Sequence, residues 1–123
     1  MRYLCLAYEE EGKLKALSKA EWSALRAETL AYLAELQQNG RLMTAEPLQS
    51  VRTAKTVRVR DGKGSQTDGP FAETKENLGG FFLIDARNVK EALEVAAGWP
   101  SARLGSIEVR PIETELREES RYR

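Results

Sequence analysis

Hydrophobic and polar positions follow two different rhythms in the first third of the chain. Residues 2–8 (RYLCLAY) are apolar on both faces of an extended backbone, because Leu4 and Leu6 point one way and their neighbours the other. Residues 18–21 (SKAE) form a capping-box pattern, after which apolar positions recur at steps of three and four until Asn39-Gly40. We predict a strand buried on both sides, followed by a long amphipathic helix.

The middle of the chain returns to strand patterns. Residues 42–48 predict a strand near a sheet edge, because Pro47 cannot donate a ladder hydrogen bond. Residues 55–60 (KTVRVR) alternate strictly, and the turn residues DGKG at 61–64 predict a small hairpin in which residues 65–67 return.

The last third contains one strand on each side of a second helix. Residues 79–85 (GGFFLID) are again apolar on both faces, a helix begins at the cap Asn88 and ends by Gly98, and residues 106–112 (SIEVRPI) form the final strand. Trp22 and Trp99, near the helix ends, are predicted to be core residues.

The resulting order is β-α-β-β-α-β, which predicts an α+β fold with a ferredoxin-like antiparallel sheet. Two helices can cover only one face of that sheet, yet two strands are apolar on both faces. We therefore expect a homodimer in which two sheets pack face to face around a shared interior.

Composition is typical of one globular domain. The chain has 123 residues, of which 41% are hydrophobic and 31% are charged. We assign residues 1–112 to the domain and residues 113–123, which are mostly charged, to a C-terminal tail. No apolar segment approaches the roughly 18 residues of a spanning helix, and residues 1–8 do not form a signal peptide. The sequence therefore predicts a cytoplasmic protein without membrane contact.

Charge and residue types exclude several function classes. Nineteen basic residues balance nineteen acidic ones, so no overall field favours direct nucleic-acid binding. The chain has no histidine, which rules out Ser-His-Asp and Cys-His catalysis, and its single cysteine, Cys5, is predicted to be a buried structural residue. The glycines form no dinucleotide or phosphate-loop motif, and we expect neither a cofactor nor a metal.

Residues 67–76 (TDGPFAETKE) concentrate turn signals and charge. An aspartate in a turn usually accepts from the N–H two residues on, but for Asp68 that residue is Pro70, which has none. Pro70 can also begin a short helical turn, and Phe71 would then anchor the loop in the core. The segment is thus either a rigid structural turn or part of a site.

The alternative to a structural turn is a ligand site beside this loop. An arginine on the inner face of a dimeric sandwich would be an anion-binding group or half of a buried ion pair, and a carboxylate beside it could act as a general base. We predict Asp68 as the catalytic candidate. The predicted ligand-binding residues are Glu46, Arg58, Asp68, Gly69, Pro70, Phe71, Glu73 and Lys75.

The segments RYLCLAY, TVRVRDGKG, TDGPFAETKENLGGFFLIDA and SIEVRPI together resemble the DGPF branch of the YCII-related proteins. This resemblance implies a dimeric α+β barrel but no settled activity. A histidine and aspartate pair proposed as the active site in YCII-related proteins cannot be carried over, because this chain lacks histidine. DGPF relatives often occur beside genes for extracytoplasmic-function sigma factors, which implies a regulatory role without DNA contact.

Three hypotheses follow. The first is a dimeric protein that binds an unidentified small molecule near residues 67–76, called here the DGPF loop, as an accessory to a sigma-factor circuit. The second is a dimeric-barrel enzyme in which Asp68 or a neighbouring glutamate is the base and Arg58 holds an anion. The third is a stable dimer whose loop serves only the fold.

Overall fold

A four-stranded antiparallel sheet with helices on one face organises the chain, and the computed structural model describes residues 1–122. The sheet has the order β2-β5-β1-β6, while β3 and β4 form a separate hairpin. The predicted α+β class is confirmed. In chain order the elements are β1 (Arg2–Glu9), α1 (Glu11–Lys15), α2 (Lys19–Gln38), β2 (Leu42–Pro47), β3 (Lys55–Arg60), β4 (Lys63–Asp68), β5 (Asn77–Asp85), α3 (Val89–Ala97), β6 (Gly105–Pro111) and α4 (Glu118–Arg121), with 3-10 turns at Val51–Thr53 and Pro100–Leu104.

Local sequence signals set the ends of the helices and the turn of the hairpin. The Ser18 hydroxyl accepts from the Glu21 N–H at 3.1 Å, and the Glu21 carboxylate accepts from the Ser18 N–H at 2.9 Å, so the predicted capping box forms. The hairpin turns at Asp61-Gly62, where both residues have positive φ (53° and 76°). This two-residue turn leaves β4 longer than the predicted residues 65–67.

The core lies between the sheet and helices α2 and α3. Alternate residues of the two central strands face the helices, and Phe82 stacks on Trp99 with ring centroids 4.0 Å apart. Burial raises the pKa of the Cys5 thiol to about 12, in keeping with its predicted structural role. The core cluster consists of Tyr3, Cys5, Leu36, Phe82, Ile84, Ala86, Ala92 and Val95.

The prediction that Trp22 belongs to this core is wrong. Its side chain is 51% exposed, whereas Trp99 packs against the buried cluster as expected. The first turns of α2 stand above a cavity instead of a filled core, and Leu36 near the end of α2 is the residue of this helix that is fully covered. Trp22 therefore borders a space between helix and sheet.

The opposite face of the sheet is also apolar. Leu4 and Leu6 of β1 and Phe81 and Leu83 of β5 point away from the helices, as their alternation with buried neighbours requires. They remain half-buried, whereas Cys5 and Phe82 on the helix face are fully covered. The two-faced character predicted for these strands is confirmed.

The C-terminal segment continues past the sheet. Ile112 still donates its N–H to the Arg2 carbonyl at 3.0 Å, and α4 forms within the predicted charged tail, whose residue 123 lies outside the described part. The division into a domain and a tail stays a prediction. Within residues 1–122, no helix has the length and apolar character needed to cross a membrane.

A buried carboxylate joins α3 to the sheet layer. Glu91 is only 6% exposed and lies between Arg87, at 2.5 Å, and Arg41, at 3.3 Å. Its own N–H donates to the side chain of the helix cap Asn88 at 2.9 Å. The hydrogen bond from Arg87 holds the pKa of Glu91 below its ordinary value.

Glu91→Gln is expected to lower the melting temperature at pH 7, because an amide cannot form the two ion pairs. Because the pKa of Glu91 is lowered in the folded state, its stabilisation is present above the ordinary carboxyl pKa. It is lost as the pH falls through the lowered pKa, so the difference from wild type should shrink below about pH 4. Glu94→Gln, on the exposed face of the same helix, is the control. Equal melting temperatures for both variants at pH 7 would contradict this role.

Candidate functional site

The DGPF loop borders a cavity of about 660 Å³, called here the loop cavity. The loop supplies one side, the segment around the 3-10 turn Val51–Thr53 a second, and the ends of β1 and β5 the floor. Its lining includes the polar residues Lys55, Glu76 and Tyr8. Its apolar lining includes Leu48, Val51, Ala54, Pro70, Phe71, Ala72 and Leu78.

Hydrogen bonds to β3 and to Ala54 just before it hold the DGPF loop. Gly69, with φ 103°, donates its N–H to the Ala54 carbonyl at 2.7 Å, a conformation that favours glycine. The Thr56 hydroxyl donates to the Gly69 carbonyl at 2.8 Å, and Arg58 Nη2 donates to the Phe71 carbonyl at 3.3 Å. Arg58 therefore contacts the loop backbone and does not line the cavity itself.

Asp68 lies on the outside of this arrangement. Its carboxylate accepts from Lys55 Nζ at 2.6 Å across the hairpin, and its side chain is 86% exposed. Lys55 lines the loop cavity, whereas Asp68 does not. The ion pair with Asp68 positions the Lys55 side chain. The catalytic role of Asp68 stays a prediction.

The prediction that Phe71 anchors the loop in the core is wrong. Its side chain is 81% exposed and lies at the rim of the loop cavity instead of in the core. The backbone after Pro70 bends without forming a helical turn, and the Thr74 hydroxyl donates to the Glu76 carbonyl at 2.6 Å. Hydrogen bonds to β3 already fix the loop, so no aromatic anchor is required.

The remaining charged residues of the loop, together with Glu46, separate into three groups. Glu73 and Lys75 are exposed and lie outside the cavity lining. Glu76 is half-buried, lines the loop cavity and accepts from the Ser106 hydroxyl at 2.8 Å. Glu46 belongs to a different cavity. The structure thus brings Pro70 and Phe71 of the predicted set to the loop cavity.

Comparison with known proteins identifies the family. The YCII-related domain matches residues 1–115. This chain belongs to the YCII-related family. The YCII-related chain is 38% identical over 114 residues to an uncharacterised protein of Rhizobium meliloti (strain 1021), covering 91% of this chain and 92% of that one. The narrower assignment to the DGPF branch stays a prediction.

A solved structure shows a similar fold. It is 5-chloro-2-hydroxyhydroquinone dehydrochlorinase (TftG) from Burkholderia phenoliruptrix AC1100 in complex with 2,5-dihydroxybenzoquinone. The TM-score is 0.55 and the identity 18%, with 92% of this YCII-related chain and 94% of the other covered. At this identity the similarity supports the fold alone.

Glu11 is a residue of the site that the sequence did not reveal. Its carboxylate accepts from the Ser50 hydroxyl at 3.0 Å and from the Val51 N–H at 2.9 Å, which fixes the 3-10 turn beside the loop cavity. The hydrogen bond from Ser50 is the main reason that the pKa of Glu11 lies below its ordinary value. In the sequence, residues 9–11 (EEE) form a run of three glutamates, and no local signal distinguishes Glu11 from its neighbours.

A second cavity, called here the helix cavity, lies between α2 and the sheet. Its volume is about 510 Å³, and its lining includes Glu9 and Glu46 together with Trp22 and Trp99. The apolar stripe of α2 was assigned to a filled core, so sequence reasoning missed this space. Among residues 1–122, no group of three or more acidic or cysteine side chains is arranged to hold a metal ion.

Thr56→Val should destabilise the YCII-related protein more than Asp68→Ala. Removing the Thr56 hydroxyl leaves the Gly69 carbonyl without this hydrogen bond, at a cost of about 1 kcal/mol. The exposed pair of Asp68 and Lys55 contributes between about 0 and 1 kcal/mol. Urea unfolding of both variants measures the order. A larger loss in Asp68→Ala would show that the carboxylate, and not the threonine, holds the loop.

Proposed function

We propose that this YCII-related protein is a homodimer that binds a small molecule in the loop cavity. The observation that carries the proposal is the DGPF loop, which is fixed by hydrogen bonds to β3 and borders a cavity beside the open face of the sheet. A site whose walls are held in place before binding loses little entropy when the ligand arrives. An accessory role in sigma-factor-linked regulation stays a prediction.

The open sheet face supports the homodimer. An antiparallel sheet normally keeps an uncovered face polar, but here Leu4, Leu6, Phe81 and Leu83 form an apolar surface across the two central strands. In a two-fold dimer the same surface on a second copy would cover it. With this strand order and both helices outside, the pair would form a dimeric α+β barrel of ferredoxin-like protomers.

Charges beside this surface fit a second copy of the same chain. Glu108 and Arg110 of β6 pair with Leu6 and Leu4 in the sheet register, so one charge of each sign flanks the apolar surface. A two-fold arrangement can place the acidic residue of one protomer near the basic residue of the other.

The chemistry of the loop cavity favours a planar apolar ligand that carries an acidic oxygen. The volume of about 660 Å³ is that of a small-molecule pocket. Lys55 is the basic residue of the lining and would supply the positive charge, while Leu48, Leu78 and Phe71 would pack against the ring. Because TftG binds 2,5-dihydroxybenzoquinone, a planar ring with ionisable hydroxyls, this compound is a suitable probe.

An enzymatic function is the second candidate. Glu76 is a half-buried carboxylate in the same cavity as Lys55, an arrangement that allows proton removal from a bound ligand. The dehydrochlorinase activity of TftG is compatible with this reading. Chloride release from 5-chloro-2-hydroxyhydroquinone by wild type, but not by Glu76→Gln, would favour catalysis over binding alone.

Lys55→Met should weaken binding of 2,5-dihydroxybenzoquinone about tenfold or more, because one charge-assisted contact contributes about 1.5 to 3 kcal/mol. Titration calorimetry at pH 7.5 measures the affinity. Lys63→Met removes the same charge from the hairpin, at an exposed residue that does not line the cavity, and should bind like wild type. Equal affinity in Lys55→Met and Lys63→Met would exclude the loop cavity as the binding site.

Leu6→Asp should convert the dimer to a monomer, because it buries a charge in the centre of the proposed interface. Leu93→Asp, at a residue of α3 that is 53% exposed, should leave the dimer intact. Multi-angle light scattering at micromolar protein concentration distinguishes the two states. A wild-type chain that is monomeric under these conditions would overturn the homodimer.

A further inference from the structure

The helix cavity is separate from the loop cavity and lies on the opposite face of the sheet. Helix α2 forms its roof with Trp22, Leu25, Leu30 and Leu33, and Ala7 of β1 contributes to its floor. Its volume of about 510 Å³ lies within the range of small-molecule pockets. The lining is mainly apolar, so a charged group within it can determine which kind of ligand binds.

A β-bulge places one carboxylate in this apolar lining. Ala7 pairs with Gly80 and Tyr8 pairs with Leu78, so Gly79 is an extra residue in β5. The Glu9 side chain lies over Gly79, where any added Cβ would overlap the Glu9 carboxylate. The bulge and the missing side chain at residue 79 together make room for this carboxylate.

Glu9 has no counter-ion in the described part of the chain. None of the residues 1–122 makes a hydrogen bond or ion pair with its carboxylate, and the side chain is half-buried. Burial raises the pKa of Glu9 above its ordinary value, and the nearby charge of Glu11 adds to this effect. An ionised carboxylate that is half-buried and lacks a counter-ion is stabilised by any cation that enters the cavity.

We propose that the helix cavity binds a small hydrophobic amine, with the Glu9 carboxylate as the counter-ion of its ammonium group. The apolar body would pack against the leucines of α2. Trp22 and Trp99, which also line the cavity, provide aromatic rings that attract a cation.

The charges around the cavity favour a cation over an anion. Its lining contains the Glu9 carboxylate over Gly79 and one basic residue, Arg26, which is exposed on α2, whereas Glu46 pairs with Phe81 and directs its side chain to the open face. Glu11 of α1 adds a further negative charge that acts on Glu9. An anionic ligand would meet Arg26 at the solvent side but would be repelled by the carboxylate over Gly79.

The test uses three compounds of one shape and different charge, namely 2-phenylethylamine, 2-phenylethanol and 3-phenylpropionate. Both tryptophans of the chain line the helix cavity, so their indole N–H signals in NMR spectra report binding there. Trp22→Phe assigns the two signals. We expect the amine to shift both signals saturably and to bind at least about tenfold more tightly than the alcohol, as one charge-assisted contact implies.

Glu9→Gln should lower the amine affinity about tenfold or more and leave the alcohol affinity unchanged. Gly79→Ala should also weaken amine binding, because it displaces the carboxylate without removing it. Glu10→Gln, which makes the same charge change beside Glu9 but outside the cavity lining, should bind like wild type. Amine affinity should also fall as the pH decreases through the raised pKa of Glu9, because the protonated side chain carries no charge to pair with the ammonium group. The other charged residues near the ligand are Glu46, Glu11 and Arg26.

The melting temperature of Glu9→Gln shows whether this variant is folded. Because burial disfavours the charged form of Glu9, Glu9→Gln should melt at a higher temperature than wild type at pH 7. This difference should vanish as the pH falls below the ordinary carboxyl pKa, where the wild-type side chain is protonated in both states. Absence of amine binding to folded wild type, tighter binding of 3-phenylpropionate, or unchanged amine affinity in Glu9→Gln would each overturn the proposal.

Discussion

The pairing of β1 with β5 and the bulge within it determine what every other part of the molecule can contact. Up to Ala7 the register directs Cys5 and Phe82 to the helices and leaves Leu6 and Phe81 on the open face. The extra residue at Gly79 then inverts the facing of the residues before it in β5. Leu78 consequently joins Tyr8 beside the loop cavity instead of pointing under α2.

A glycine at the bulge connects this register to the chemistry of the helix face. Since residue 79 has no side chain, the Glu9 carboxylate occupies the space that a Cβ would fill. A regular strand with an ordinary side chain there would force the carboxylate outward. The same backbone irregularity therefore contributes to both cavities, although they lie on different faces of the sheet.

Features governed by neighbouring residues could be predicted from the sequence. The cap of α2 at Ser18, the cap of α3 at Asn88 and the hairpin turn at Asp61-Gly62 each depend on contacts within a few residues. The alternation in residues 2–8 and 79–85 likewise indicated strands with two apolar faces. These local signals sufficed for the α+β class and for an antiparallel sheet, but not for α1, α4 or the separation of the β3-β4 hairpin from the main sheet.

Features that depend on distant packing could not be predicted. Phe71 was expected in the core because it is aromatic, yet hydrogen bonds between Gly69 and β3 hold the loop without it. Trp22 was expected in the core because it lies on the apolar stripe of α2, but whether that helix closes onto the sheet is not encoded in its periodicity. The position of Glu9 depends on a bulge in a strand about 70 residues away, which no pattern near Glu9 indicates.

The rigidity of β1 bears on how two occupied cavities would influence each other. Tyr8 and Glu9 are consecutive residues that serve opposite faces, so the two cavities are separated by little more than the sheet. Energetic coupling nevertheless requires an element with two alternative arrangements that both ligands bias. Because β5 and β6 pair with β1 on both sides along its length, a shift of β1 would break both ladders together. We therefore expect ligands in the two cavities to bind independently, with the sheet acting as a partition between them.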